Sequence, residues 1–146
     1  MFRLTYIFVF SCLATFAQEV NKSKNNLAVE GYDLVTYFTE ESPAMGKKEF
    51  QVNYKEVIYW FSSFANQEKF VASPSKYLPK YGGWCAYAMA RGEQVNINPT
   101  AYLITEGELY LFYKTLWINT QSKWVNNSKS LQSKANKNWE RILSEN

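Results

Sequence analysis

Histidine is absent from this 146-residue chain, and cysteine occurs only at Cys12 and Cys85. Cys12 lies in an amino-terminal apolar stretch of the kind removed on export, so Cys85 is the single thiol expected in the mature protein. One thiol forms no intramolecular disulfide. Without histidine, the usual general base near neutral pH and the commonest metal ligand are both missing, and zinc sites built on several Cys or His ligands are excluded. A chain so restricted has no covalent or zinc staple, and its fold must rest on burying apolar surface.

The amino end reads as a signal peptide. Arg3 precedes an apolar run from Leu4 to Ala17, broken by Thr5, Ser11, Cys12 and Thr15. A spanning helix needs about 20 apolar residues, so no stable membrane span is expected after cleavage. Thr15 and Ala17 suit cleavage before Gln18. Lipid anchoring at Cys12, through the loose lipobox Val9-Phe10-Ser11-Cys12, is the less favoured alternative because Phe10 is bulky for that motif. The expected location is periplasmic or extracellular.

From Gln18 onward the length suits one domain with a single core. Residues 18–26 read as a polar lead-in and residues 27–146 as the domain. Losing Arg3 leaves fifteen basic against thirteen acidic residues, a formal charge of +2. The basic residues are scattered, so no nucleic-acid partner is expected, and Lys129, Lys134 and Lys137 read as a solvated helix face.

Hydrophobic periodicity predicts an α+β fold: a small, mostly antiparallel sheet of β-hairpins with helices packed against it. Asp33 to Phe38 alternates partly and reads as a first strand. Phe50, Val52 and Tyr54 repeat at period two within Glu49 to Tyr54. The two residues Lys55-Glu56 then connect this run to Val57-Ile58-Tyr59-Trp60-Phe61, predicting a hairpin without the favoured Asn-Gly turn. Ser62 or Ser63 caps a helix through Ala72, with Phe64, Phe70 and Val71 as its apolar contacts and Pro74 as its stop. Tyr77 to Trp84 is a connection, and Trp84 to Ala90 a short buried helical segment. Tyr102 to Thr105 and Leu109 to Tyr113 form a second hairpin around Glu106-Gly107-Glu108. Ser128 or Ser130 caps a last helix carrying Leu131, Ala135, Trp139, Ile142 and Leu143.

Four segments, in order, carry a family resemblance. They are Gly31-Tyr32-Asp33-Leu34-Val35-Thr36-Tyr37-Phe38; Val57 to Ser63 followed by Phe70, Pro74, Lys76 and Tyr77; Tyr81-Gly82-Gly83-Trp84-Cys85-Ala86-Tyr87-Ala88; and Leu109-Tyr110-Leu111 with Trp139. Together they resemble the exported, single-domain branch of the YHS-domain family. The resemblance implies the family scaffold and a binding rather than catalytic role, toward a metal ion or small ligand. Members attached to copper-transport proteins are similar to cysteine-based metal modules, with thiols where this chain has Glu30-Gly31-Tyr32 and Phe61-Ser62-Ser63.

Cys85 and Met89 stand four apart, which on a helix is one face. Thiolate and thioether sulfur suit Cu(I), so a copper ion is the cofactor to consider, with both residues as metal ligands. The plainer reading is a buried thiol beside a gap-filling methionine. Asp33, the only aspartate in the chain, together with Tyr37, Tyr81, Cys85 and Tyr87, forms the candidate ligand-binding set. Asp33 has its own plain alternative as an acceptor of backbone hydrogen bonds at a turn. Gly82-Gly83 reads as a tight turn, because no P-loop Lys-Ser/Thr follows. Three functional classes stay open: a non-catalytic binding module, a thiol-dependent redox protein using Cys85 but lacking a resolving cysteine, and a partner-binding domain without a ligand pocket. The sequence identifies no protein partner.

Overall fold

The structure is a computed structural model and describes residues 19–146. The signal-peptide assignment, the cleavage point before Gln18 and the Cys12 lipobox lie outside the described residues. The fold is α+β, with six α-helical segments and two antiparallel hairpins among the described residues. The hairpins do not merge into one sheet; each remains two-stranded.

The first hairpin pairs β1 (Lys47–Tyr54) with β2 (Val57–Phe61). Val57, Tyr59 and Phe61 point into the core from alternate positions of β2, as period-two patterning requires. Lys55 and Glu56 both take positive φ, 50° and 64°, the geometry of a type I′ turn made without its preferred residues. The free edge of β2 is covered by the lead-in, where Ala28 N–H donates to Ile58 O at 3.0 Å and Ile58 N–H to Asn26 O at 2.8 Å. The second hairpin pairs β3 (Asn98–Thr105) with β4 (Glu108–Phe112). Its connection is the two residues Glu106-Gly107 rather than three, since Thr105 pairs directly with Glu108.

The segment expected as a first strand is a helical turn instead, α1 (Thr36–Thr39). The cause is local. Asp33 Oδ1 accepts from Val35 N–H at 2.8 Å, and Thr36 Oγ1 donates back to Asp33 O at 2.6 Å, so side-chain hydrogen bonds bend the backbone before a strand ladder can form. Next come α2 (Phe64–Ala72), α3 (Pro74–Tyr77) and α4 (Ala86–Met89). Ser63 caps α2 by accepting from Asn66 N–H at 3.2 Å. Of the three contacts expected from α2, Phe70 alone is made, while Phe64 and Val71 are each 59% exposed. At 3.6 residues per turn both lie roughly 100–120° around the helix from Phe70.

Beyond β4 stand α5 (Thr120–Val125), which periodicity did not predict, and α6 (Ser128–Glu145), whose cap position is Asn127. The terminal helix lies mainly against α4, and the expected helix-on-sheet packing is supplied by side chains of β4. Strand β4 divides the core. Leu109 and Leu111 join a cluster with Phe61, Phe70 and Tyr59; Tyr110 and Phe112 join a second cluster with Met89, Trp124, Ala135 and Ile142. A strand buried on both faces reads in sequence as a continuous apolar run, which is what Leu109-Tyr110-Leu111-Phe112 is. In the first cluster the Phe70 ring packs 4.9 Å from Phe61 and 5.2 Å from Tyr59, within the range of favourable aromatic pairs. No helix among the described residues is long and apolar enough to cross a membrane.

Candidate functional site

The residues singled out in the sequence do not converge. Asp33 is fully buried, and its carboxylate is satisfied by four donors: Val35 N–H at 2.8 Å, Ser62 N–H at 2.8 Å, Ser62 Oγ at 2.7 Å and Asn66 Nδ2 at 2.8 Å. It ties α1, the end of β2 and the start of α2 together. An open, polar depression lies over Thr36, Glu40, Glu41 and Ser62, but Asp33 does not line it. The Tyr37 hydroxyl donates to Pro99 O at 2.7 Å, and its ring stands edge-on to Tyr102. Tyr81 donates to Asn136 Oδ1 at 2.8 Å in the second cluster. Tyr87 is half-buried, with Lys123 Nζ 5.8 Å from its ring centre.

Cys85 is 0% exposed. Its Sγ accepts from Tyr113 N–H at 3.3 Å and lies 3.4 Å from Thr120 Oγ1. The expectation that Cys85 and Met89 share a face is corrected here. Cys85 is the residue before α4, with extended ψ of 118°, so its side chain leaves the helical rotation and enters the first cluster while Met89 enters the second. The donor set does not fit a copper ion. The two sulfurs serve different clusters, Cys85 Sγ is already engaged, and no group of three or more His, Cys, Asp or Glu that could hold a metal occurs among the described residues.

A different place has the character of a site. Val20, Ala28, Val29, Val57, Tyr59 and Leu78 line an apolar cavity of about 30 Å³, with Lys55, Pro79 and Gly82 at its rim. Three turns with positive φ enclose it. The first is Val29-Glu30-Gly31, at 49°, 51° and 82°; the second is Tyr81-Gly82-Gly83, at 56°, 60° and 82°; the third is the β1–β2 turn at Lys55. Positive φ in the β-branched Val29 is rare and strained, and such strain persists only where the surroundings over-determine it. Gly82 is obligatory on a second ground, because a Cβ there would stand 2.6 Å from Glu19 O and 2.9 Å from the Trp139 ring.

Tyr59 supplies the polar atom of this cavity. The residue is 4% exposed, and its hydroxyl makes no hydrogen bond to any described residue, yet no side-chain polar atom there is both sealed from solvent and unpartnered. The hydroxyl therefore opens into the space it lines. Burial, and secondarily the neighbouring Tyr54, push its pKa above the ordinary tyrosine value, so the group is a neutral donor and acceptor across the physiological range. A space of this size takes a water pair or a branched aliphatic tip. Sequence reasoning placed Tyr59 on the inward face of β2 but missed the cavity, whose outline depends on left-handed turns. Gly31 and Gly82 were the visible signal. Comparison with family models, with curated proteins and with solved structures found no match to this chain.

Proposed function

We propose that the chain is a non-catalytic binding module of the YHS kind its motifs resemble, acting outside the cytoplasm and taking the apolar end of a small neutral ligand beside Tyr59. The observation that carries this reading is the contrast between two kinds of buried polar group. Asp33, Tyr37, Tyr81 and Cys85 are consumed by internal hydrogen bonds, whereas the Tyr59 hydroxyl faces a cavity without a partner. Buried polar groups are satisfied as a rule, and one held open by strained turns is poised to meet a ligand. The enclosed thiol weighs against thiol-dependent redox chemistry, which needs access to the sulfur.

The test is NMR titration of isotopically labelled protein with isobutanol and isobutyramide, each combining a branched aliphatic tip with hydrogen-bonding atoms. Amide shifts are expected to cluster at Ala28, Val57, Tyr59 and Gly82, and Tyr59→Phe to weaken the response by about tenfold, the worth of one hydrogen bond of roughly 1.5 kcal/mol. Shifts centred elsewhere, or unchanged by Tyr59→Phe, would overturn the assignment. Export is checked separately by intact mass, with a new amino terminus expected at Gln18.

A further inference from the structure

The connection from β4 to α5 carries Leu116, Trp117 and Ile118, with exposures of 94%, 92% and 45%. It is tightly tied. Thr115 N–H donates to Ile118 O at 2.8 Å, and Thr115 Oγ1 accepts from Trp117 N–H at 3.3 Å and Ile118 N–H at 3.1 Å. Lys114 bridges to Asn119, and Thr120 Oγ1 donates to Tyr113 O at 2.8 Å, fixing the base of the turn. The backbone thus holds a leucine and a tryptophan outward, with no part of the chain covering them. Isolated exposed apolar residues need no explanation; consecutive large ones on a hydrogen-bonded tip do.

Charge indicates what covers them. From Leu109 to Trp139 the sequence holds Lys114, Lys123, Lys129, Lys134 and Lys137 and neither aspartate nor glutamate. All five lysines are exposed, Lys114 at the base of the turn and Lys123 on α5 directly behind it. Area excludes a stable protein interface built on the tip alone. Two such side chains bury at most about 250 Å² each, against about 800 Å² per partner in a standard complex. A bilayer needs no matching cavity, accepts tryptophan at its headgroup level, and, when anionic, attracts lysines beside the inserted residues.

We propose that the Leu116-Trp117 tip inserts into the interface of an anionic lipid bilayer, with Lys114 and Lys123 against the headgroups, making the protein peripherally membrane-associated. This stands independently of the Tyr59 cavity. The test is flotation of the full chain with vesicles of phosphatidylcholine alone and of phosphatidylcholine mixed with phosphatidylglycerol. The protein is expected to float with the anionic vesicles, and Leu116→Ser/Trp117→Ser to lower partitioning at least about tenfold. Lys114→Gln and Lys123→Gln are each expected to lower it by about fivefold, and molar salt to act in the same direction. None of these substitutions removes a buried contact, and circular dichroism verifies folding. Brominated lipid is expected to quench the parent's tryptophan emission and to lose most of that effect with Trp117→Phe. Three results would overturn the proposal: failure to float with anionic vesicles, flotation and Trp117 quenching unchanged by the tip substitutions, or self-association that the double substitution abolishes in the absence of any flotation.

Discussion

Removing the carboxylate of Asp33 should destabilise this protein more than almost any other polar substitution. Asp33→Ala orphans the N–H groups of Val35 and Ser62, the Ser62 hydroxyl and the Asn66 amide at once. Each hydrogen bond to a charged group contributes about 1.5–3 kcal/mol. Simple addition over four would approach the whole stability of a domain, about 5–15 kcal/mol. Contacts sharing one acceptor are not additive, however, and Ser62 and Asn66, only half-buried, recover part of their bonding from water. A net loss of about 3–5 kcal/mol follows, the range for stranding partners in a buried network. Asp33→Asn is the sharper probe. It preserves the acceptor for Val35, the Ser62 hydroxyl and Asn66 amide can reorient, but the fixed Ser62 N–H then faces an amide nitrogen, giving about 2–3 kcal/mol. Urea unfolding followed by tryptophan fluorescence reads both; at a slope of about 1–3 kcal/mol per molar, the Asp33→Ala midpoint should fall by about 2 M. A loss below about 1 kcal/mol for Asp33→Ala, at unchanged slope, would show that the four contacts do not act together.

Cys85 should react slowly with a thiol reagent in the native protein and quickly in urea, and Cys85→Ser should cost about 1–2 kcal/mol in the same unfolding assay, since a hydroxyl is poorly matched to an apolar site; fast native labelling would contradict its burial. Burial raises the pKa values of Tyr37, Tyr59, Tyr81 and Tyr110 above the unfolded tyrosine value of 10. The unfolded chain therefore releases protons first, and stability fully present below pH 10 declines as pH rises beyond it. Absorbance at about 295 nm should show these four tyrosines ionising only together with alkaline unfolding; a reversible native titration of all eleven tyrosines near the unperturbed value would refute this.

Both hairpins were legible in the sequence because alternation at period two survives any surroundings: Phe50, Val52 and Tyr54 on one strand, Val57, Tyr59 and Phe61 on the next. The Ser63 cap and the terminal helix were legible for a similar reason, as local chemistry repeated in register. The Asp33 to Phe38 segment was misread because its apolar content is strand-like, while its conformation is decided by hydrogen bonds from Asp33 and Thr36 that a hydrophobic pattern does not record. Cys85 and Met89 have the spacing of one helix face, yet the helix begins one residue after Cys85. The cavity at Tyr59 was hidden for another reason. Its walls are set by positive φ at Val29, Glu30 and Tyr81, residue types that do not advertise that conformation, and only their glycine neighbours gave a hint.

The left-handed residues of the two hairpin turns also bear on how this chain would respond to directed evolution. Lys55, Glu56 and Glu106 are exposed, take φ of 50°, 64° and 54°, and carry a backbone penalty that asparagine or glycine would largely relieve. Laboratory selection for heat resistance should therefore find early gains of about 0.5–2 kcal/mol at these positions. The two turns differ in freedom, since Lys55 also borders the Tyr59 cavity whereas Gly107 has nothing within 4 Å of where a side chain would begin. Glu106→Asn, which completes an Asn-Gly pair with the existing Gly107, is the change that evolution could accept there without touching the rest of the molecule.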